Sequence, residues 1–199
     1  MRVVVQRVKH ASVTIDGKVN GKINNGFLVL LGIKSTDSKQ DVDYLVKKVV
    51  NLRIFTDEND KMNLSLKDIN GELLIISQFT LYGDCKDGNR PSFIEAAKPD
   101  VAIPLYEYFI AECKKQIPVV ETGIFGADMK VELLNPTQIK LLYYNWGQVA
   151  QVCYASGMEA NLEKIGKHCQ ASGHYSGSRG DFFKFYVTDV PRACMDQII

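Results

Sequence analysis

Residue types that could do chemistry are concentrated in one short segment, SQFTLYGD, at residues 77–84. The segment follows the apolar run LLIIS, which is typical of a buried strand. Ser77, Gln78 and Thr80 then place two hydroxyls and an amide at the predicted end of that strand, where they could enter a pocket. If the strand continues, Ser77 and Phe79 share one face while Gln78 and Thr80 share the other. The alternative is that these groups only satisfy hydrogen bonds at a strand end.

Other reactive side chains are sparse, so several common classes of catalytic site are not expected. His10 is the only histidine among the first 139 residues, and Cys85 and Cys113 have no evident base beside them. A Ser-His-Asp or Cys-His site is therefore not expected. No glycine-rich phosphate loop follows a strand and no metal-ligand spacing occurs, so we expect neither a metal nor an organic cofactor.

Composition indicates a globular protein of the cytoplasm. The 199 residues are 46% hydrophobic, enough to bury a core, and the five cysteines are scattered, which suits a reducing compartment. No apolar run is long enough to cross a bilayer, and the first residues resemble a strand more than a signal peptide. The net charge of +1 gives no argument for nucleic acid. A local basic face is one interpretation, and a solvated surface is the other, for Lys86, Arg90, Lys98, Lys114 and Lys115.

Hydrophobic patterning predicts an α+β fold. RVVVQRV, ASVTID, GFLVLLGI and MKVELLN are typical of strands. Ser38 or Asp37 can cap a helix whose apolar face comprises Val42, Leu45, Val46, Val49 and Leu52. KPDVAIPLYEYFIAECKKQI predicts a second helix, with a proline near its start. In the tail, NWGQVAQVCYASG and MEANLEKIGKHCQASG are typical of helices and GDFFKFYVTDV of a strand, which gives a partial α+β tail.

Four collinear segments carry a family resemblance: MRVVVQRVKHASVTIDG, ISQFTLYGD, GNRPSFIEAAKPD and TGIFGADMKVELLN. Together they resemble D-aminoacyl-tRNA deacylase of the D-tyrosyl-tRNA deacylase type over residues 1–135. The resemblance implies an antiparallel β-barrel-like α+β domain with two helices, a homodimer and no cofactor. It also implies hydrolysis of the ester that joins a D-amino acid, or glycine, to the terminal ribose of tRNA.

The same resemblance assigns roles to seven residues. Ser77, Gln78 and Thr80 form the catalytic segment, in which Thr80 is a nucleophile candidate that would be weakly activated, since no histidine is near. Because an aminoacyl ester is already activated, we prefer strand amides and Gln78 holding the ester, with the ribose 2′-hydroxyl or a water assisting. Substrate contacts are expected from Phe79, Phe125, Met129 and, as a support on the first strand, Arg7. For Ser77 and these four, core packing is the alternative.

The chain departs from the family after MKVELLN. The family's second motif reads approximately Asn-Asp-Gly-Pro-Val-Thr, and its cis Gly-Pro bond reaches into the partner subunit's pocket to exclude L side chains. This sequence has Asn135-Pro136-Thr137, two residues shorter and without the glycine. Pro136 is then either an ordinary turn proline or a remnant of the motif. Weak activity, poor chiral discrimination, or both are expected.

Residues 129–199 resemble a second family, the N-terminus of flavin-dependent thymidylate synthase. The likeness includes a Gly-His-x-Ser turn at 173–176 and an Arg-Ala helix start at Arg192. The signature of that family would begin beyond Ile199, so its flavin- and dUMP-binding body is not expected. We interpret the chain as a chimera of a deacylase-like domain, 1–135, and a truncated segment, 136–199. An inactive tRNA-binding or flavin/dUMP-related fragment is the alternative function.

Overall fold

The computed structural model describes residues 1–86 and 88–136, and the strand backbones at 140–144 and 150–153. These residues form a six-stranded sheet, a three-stranded sheet, a two-stranded hairpin and two α-helices, which confirms the predicted α+β class. The strands are β1 (Arg2–Val8), β2 (His10–Ile15), β3 (Lys18–Ile23), β4 (Gly26–Gly32), β5 (Phe55–Thr56), β6 (Met62–Leu64), β7 (Glu72–Ser77), β8 (Val120–Thr122), β9 (Lys130–Leu134), β10 (Lys140–Tyr144) and β11 (Ala150–Cys153). The helices are α1 (Lys39–Val50) and α2 (Pro99–Lys114).

The six-stranded sheet has the order β11-β10-β1-β4-β7-β8, and the three-stranded sheet has the order β3-β2-β9. The predicted antiparallel β-barrel is wrong in two respects. The β4–β7 and β7–β8 pairs are parallel, and the described sheets do not close into a barrel. Parallel neighbours need a crossover connection, and α1 and α2 lie in the connections from β4 to β7 and from β7 to β8.

Burial on both faces explains the apolar runs of the central strands. One face of β4 and β7 packs against α1 and α2, through Phe27, Val29 and Ile75 among others. The other face packs against the three-stranded sheet, through Leu28 and Leu74. Strands covered on both faces are near-continuously apolar instead of alternating, as GFLVLLG and ELLIIS are.

Both helices predicted within residues 1–135 are present. Ser38 precedes α1, and the Asp41 carboxylate accepts hydrogen bonds from the Ser38 backbone N–H at 2.7 Å and from its hydroxyl at 2.8 Å. The predicted apolar face of α1 is buried, except that Val50 takes the place of Leu52, which lies just beyond the helix and is partly buried. Pro99 is at the first position of α2, where its missing N–H costs little.

Two segments differ from the sequence prediction. The expected loop at 56–70 contains part of the short β5–β6 hairpin. Ala150–Cys153, predicted as helix, is strand β11, which pairs antiparallel with β10. The free edge of β10 offers hydrogen bonds that outweigh a weak local helix pattern in so short a segment. The other predicted tail elements lie outside the described residues. In the part of the chain that the structure describes, no helix is long and apolar enough to cross a membrane.

Candidate active site

Strand β7 ends at Ser77, and a 3₁₀-helix (Phe79–Tyr82) follows Gln78. The backbone N–H of Gln78 donates to the Leu31 carbonyl at 2.8 Å and completes the pairing with β4. The chain then turns, with Leu81 N–H donating to the Gln78 carbonyl at 3.3 Å. The predicted alternation of faces through Phe79 and Thr80 is therefore wrong, because the strand ends at Ser77, before both residues.

A cavity of about 280 Å³ opens at the carboxyl ends of the parallel strands β4 and β7. Five of the seven predicted site residues line it: Ser77, Gln78, Phe79, Phe125 and Met129. Apolar side chains form most of the remaining wall, with Leu31, Ile33, Ile76, Ala97, Ala102 and Val131 among them. Asp128 is the charged residue in the lining. The site thus combines an apolar floor with a hydroxyl and an amide at one side.

Thr80 does not line the cavity. Its hydroxyl oxygen accepts a hydrogen bond from the Gln78 amide, Nε2 to Oγ1, at 2.5 Å. An amide nitrogen cannot take up a proton, so this contact does not activate Thr80 as a nucleophile. The contact does fix the orientation of the Gln78 side chain beside the cavity.

The structure does not bring Arg7 to the cavity. Its guanidinium donates to the Ile54 carbonyl at 2.8 Å and to Thr56 Oγ1 at 3.4 Å, and burial lowers the pKa of Arg7. Arg7 lies opposite Phe27 of β4, whereas Ser77 lies opposite Leu31. Four strand residues span about 13 Å. Because β1 is antiparallel to β4, Arg7 lies near the opposite end of the sheet from the cavity.

Arg2 is the residue of β1 that reaches this region, and the sequence prediction missed it. Its Nη1 donates to the Leu81 carbonyl at 2.7 Å, and its guanidinium lies 4.3 Å from the centre of the Tyr82 ring. Arg2 therefore ties the start of β1 to the 3₁₀-helix. In the antiparallel register of β1 and β4, Arg2 pairs with Gly32, next to the end of β7. One sequence does not reveal this register, so Arg2 could not be predicted from it.

Gly32 is a second residue that the prediction missed. A Cβ at this position would lie 3.0 Å from the Gln78 carbonyl oxygen and 3.1 Å from Leu81 Cβ. The absence of a side chain therefore lets the 3₁₀-helix lie directly against the end of β4.

Replacing Gly32 by alanine should displace the Gln78 carbonyl by a few tenths of an ångström. We expect about a tenfold loss in kcat/KM of the activity proposed below, since small misplacements at a site are costly. Steady-state kinetics with circular dichroism as a folding check would measure this. A G32A variant with unchanged kinetics would contradict the role given to this contact.

Phe125 and Met129 are held on the other side of the cavity. Phe125 packs on Tyr106 of α2, with ring centroids 6.0 Å apart, and the Tyr106 hydroxyl donates to the Ile75 carbonyl at 2.9 Å. A Cβ at Gly123 would lie 2.3 Å from Met129 Sδ, so glycine there makes room for this side chain. Burial raises the pKa of Tyr106 to about 12, which keeps its hydroxyl a donor well into alkaline solution.

The raised pKa of Tyr106 makes its contribution to stability pH-dependent. The folded state holds this proton up to about pH 12 and the unfolded state only to about pH 10, so the contribution is complete below pH 10 and falls as the pH rises through 12. The difference in unfolding free energy between wild type and Tyr106→Phe should therefore shrink, by about 2 kcal/mol at most. Urea unfolding of both proteins at pH 8, 10 and 11.5 measures this. A difference that stays constant with pH would contradict the raised pKa of Tyr106 in the folded state.

Comparison with known proteins identifies the family. The sequence model of D-Tyr-tRNA(Tyr) deacylase matches residues 4–142. The chain belongs to the D-Tyr-tRNA(Tyr) deacylase family. A D-aminoacyl-tRNA deacylase of Thermosipho africanus is 61% identical over 142 residues, which are 71% of this chain and 95% of that protein. A D-aminoacyl-tRNA deacylase of Clostridium novyi is 60% identical over 142 residues, again 71% of this chain and 95% of that protein.

Solved structures agree with this family at the level of the fold. A structure titled c-Myc DNA Unwinding Element Binding Protein has a TM-score of 0.68 and 36% identity, covering 72% of this chain and 98% of its own. A probable eukaryotic D-amino acid tRNA deacylase has a TM-score of 0.63 at 17% identity, covering 71% and 97%.

The match to the deacylase family continues past Asn135 as far as residue 142. It therefore includes part of β10, whose Leu142 pairs with Val4 of β1. The domain boundary between residues 135 and 136 and the likeness of residues 129–199 to thymidylate synthase stay predictions.

Proposed function

We propose that this chain hydrolyses D-aminoacyl-tRNA to a free D-amino acid and tRNA, a proofreading step of translation. The observation that carries the proposal is the 61% identity to a D-aminoacyl-tRNA deacylase over 95% of that protein. The cavity supports it, because residues expected from two distant segments, Ser77–Phe79 and Phe125–Met129, line one space. The alternative, an inactive tRNA-binding or flavin/dUMP-related fragment, is not favoured.

The polar side of the cavity suits ester hydrolysis without a strong base. Gln78 lies where β7 gives way to the 3₁₀-helix, and the first N–H groups of such a helix have no partners within it. We place the carbonyl oxygen of the ester against these donors, which stabilise the charge that develops as the acyl carbon is attacked. The Gln78 side-chain amide is a further donor to that oxygen, and Ser77 positions the ester.

A water molecule supplies the attacking oxygen in this proposal. It adds to the acyl carbon, the bond from that carbon to the ribose oxygen breaks, and the ribose oxygen takes a proton. The neighbouring ribose hydroxyl of the substrate can relay that proton. Thr80 is then an orienting residue, because its hydroxyl is engaged with the Gln78 amide.

We further propose that the active form is a homodimer in the cytoplasm and that its selectivity for D-amino acids is reduced. The homodimer is what the family resemblance implies. The support for reduced selectivity is the sequence Asn135-Pro136, which stands where the family resemblance leads us to expect a glycine before proline. Without the glycine, close backbone approach to the substrate is hindered by a side chain.

The chimera stays our proposal for the origin of the tail. The segment MKVELLN, residues 129–135, fits both families and would be the point of joining. One long sequencing read across codons 125–145 tests it. An uninterrupted deacylase gene with a Gly-Pro motif in that read would show that the fusion is artificial.

A deacylation assay with D-Tyr-tRNA, L-Tyr-tRNA and glycyl-tRNA tests the function. We expect release of D-tyrosine above the spontaneous rate, with measurable release of L-tyrosine as well. Tight binding of tRNA without turnover would favour the inactive tRNA-binding alternative. Strict D-selectivity at a high rate would contradict the importance given to the missing glycine.

A further inference from the structure

Asp128 places a carboxylate in a cavity lining that is otherwise mostly apolar. It belongs to the wall that contains Phe125 and Met129, whereas Ser77 and Gln78 form the polar side. When a ligand displaces water from such a wall, a carboxylate left without a partner is costly. The charge at Asp128 therefore indicates what kind of group a ligand brings to this wall, namely a cation.

The segment that carries Asp128 is fixed to strand β7. The Gly123 N–H donates to the Ile75 carbonyl at 3.1 Å, close to the end of that strand. The chain then turns, with the Ala127 N–H donating to the Ile124 carbonyl at 3.2 Å. These two backbone hydrogen bonds hold the backbone before Asp128 in a fixed relation to the polar end of β7.

The Asp128 carboxylate is only weakly paired within the protein. Lys130 Nζ lies 3.4 Å from Asp128 Oδ2, and the two side chains are 76% and 86% accessible. Exposed ion pairs contribute little, because water solvates both charges and two side chains must be ordered. Lys130 itself does not line the cavity. A cation that enters the cavity can therefore replace Lys130 as the partner of this carboxylate.

We propose that the Asp128 carboxylate binds the α-ammonium of the aminoacyl group. The inference rests on the proposed function and deepens it, because it requires the ester carbonyl to be held at Gln78. Every aminoacyl ester with a free amine carries an ammonium on the carbon next to the acyl carbon. Apolar walls cannot replace the water that this cation loses, but a carboxylate can, through charge-assisted hydrogen bonds.

The two sides of the cavity match the two polar ends of an aminoacyl group. The space is about 280 Å³, so one aminoacyl group that contacts Gln78 also reaches the wall that contains Asp128. Asp128 takes no part in breaking the ester bond. It is a specificity residue, which favours acyl groups with a positive charge at the α-carbon over neutral ones of the same shape.

The test compares two acyl groups on the same tRNA. One is D-tyrosine, and the other is 4-hydroxyphenyl-D-lactate, in which a neutral hydroxyl replaces the ammonium. Asp128→Asn keeps the shape of the side chain and removes its charge. We expect kcat/KM for D-Tyr-tRNA to fall about tenfold, because a hydrogen bond between two charged groups is lost. The value for the hydroxyacyl-tRNA should change less than about twofold, so the ratio between the two substrates measures the effect.

Matched variants separate this role from other effects of the charge. Asp128→Glu keeps the carboxylate and should stay within about threefold of wild type. Lys130→Met removes the present partner and should not reproduce the loss. Asp60→Asn makes the same change at an exposed residue of the β5–β6 turn, where φ is 57°, and should leave both substrates unaffected.

Three kinetic results would overturn the proposal. They are equal losses with both acyl groups in Asp128→Asn, no loss with D-Tyr-tRNA in that variant, and an equal loss in Lys130→Met. The last would show that Asp128 acts only through its ion pair with Lys130.

A binding measurement keeps this inference distinguishable from the proposed function. D-tyrosinamide, which has the α-ammonium but no ester, is titrated into wild type and Asp128→Asn and followed by NMR. Weaker binding to the variant supports the ammonium site even if wild type hydrolyses no D-Tyr-tRNA, a result that would contradict only the proposed function. Equal binding to both proteins, or no detectable binding to either, would overturn the ammonium site while leaving hydrolysis untouched.

Discussion

Replacing Gln78 by alanine is expected to lower kcat/KM for D-Tyr-tRNA about 100- to 1,000-fold, the loss typical of removing one donor that stabilises an oxyanion. Gln78 joins β7 to the 3₁₀-helix and lines the cavity, and its amide is oriented by Thr80. Since the amide acts mainly as charge develops, the effect should appear in kcat more than in KM. Single-turnover and steady-state rates of D-tyrosine release measure it.

Thr80→Val is the matched control for Gln78→Ala. Valine has nearly the shape of threonine but cannot accept the 2.5 Å hydrogen bond from Gln78. If Thr80 only orients Gln78, this variant loses about tenfold or less, far below the loss in Gln78→Ala. Complete loss of activity in Thr80→Val, with Gln78→Ala near wild type, would instead identify Thr80 as the nucleophile.

Restoring the missing motif should have the second large effect. Inserting Asp-Gly between Asn135 and Pro136 recreates the order Asn-Asp-Gly-Pro that the family resemblance leads us to expect. Glycine before proline permits close backbone approach to the substrate, so L side chains are excluded sterically. We expect the ratio of kcat/KM for D-Tyr-tRNA over L-Tyr-tRNA to rise about 100-fold, which corresponds to about 2.7 kcal/mol.

The control for this insertion has the same length without the glycine. Inserting Asp-Ala at the same place lengthens the loop equally but keeps a side chain before Pro136. It should recover little selectivity. Equal gains from Asp-Gly and Asp-Ala would show that loop length, and not glycine, limits selectivity. No gain from either insertion would contradict the interpretation that the missing glycine lowers selectivity for D-amino acids.

Local patterns predicted the elements of this fold better than their pairing. The run GFLVLLG is a buried strand because both its faces are covered, and Ser38 begins a helix because local capping groups follow it. The parallel pairing of β4 with β7 depends on a crossover of some forty residues, which no local pattern encodes. The barrel expectation failed for that reason.

The candidate site shows the same division. The sequence predicts Ser77 and Gln78 because polar residues end an apolar run, and the family resemblance implies Phe125 and Met129; all four line the cavity. The resemblance implies Arg7 and not Arg2, but the antiparallel register of β1 places Arg2 against the 3₁₀-helix. Thr80 was placed on a strand face, although the chain turns at Gln78.

Single-turnover measurement of D-tyrosine release from D-Tyr-tRNA by the full chain tests the deacylase activity directly. We expect release well above spontaneous hydrolysis in wild type and its near loss in Gln78→Ala at unchanged circular dichroism. Spontaneous rates with correctly folded wild-type protein would contradict the deacylase assignment. Equal rates in wild type and Gln78→Ala would show that catalysis does not depend on this cavity.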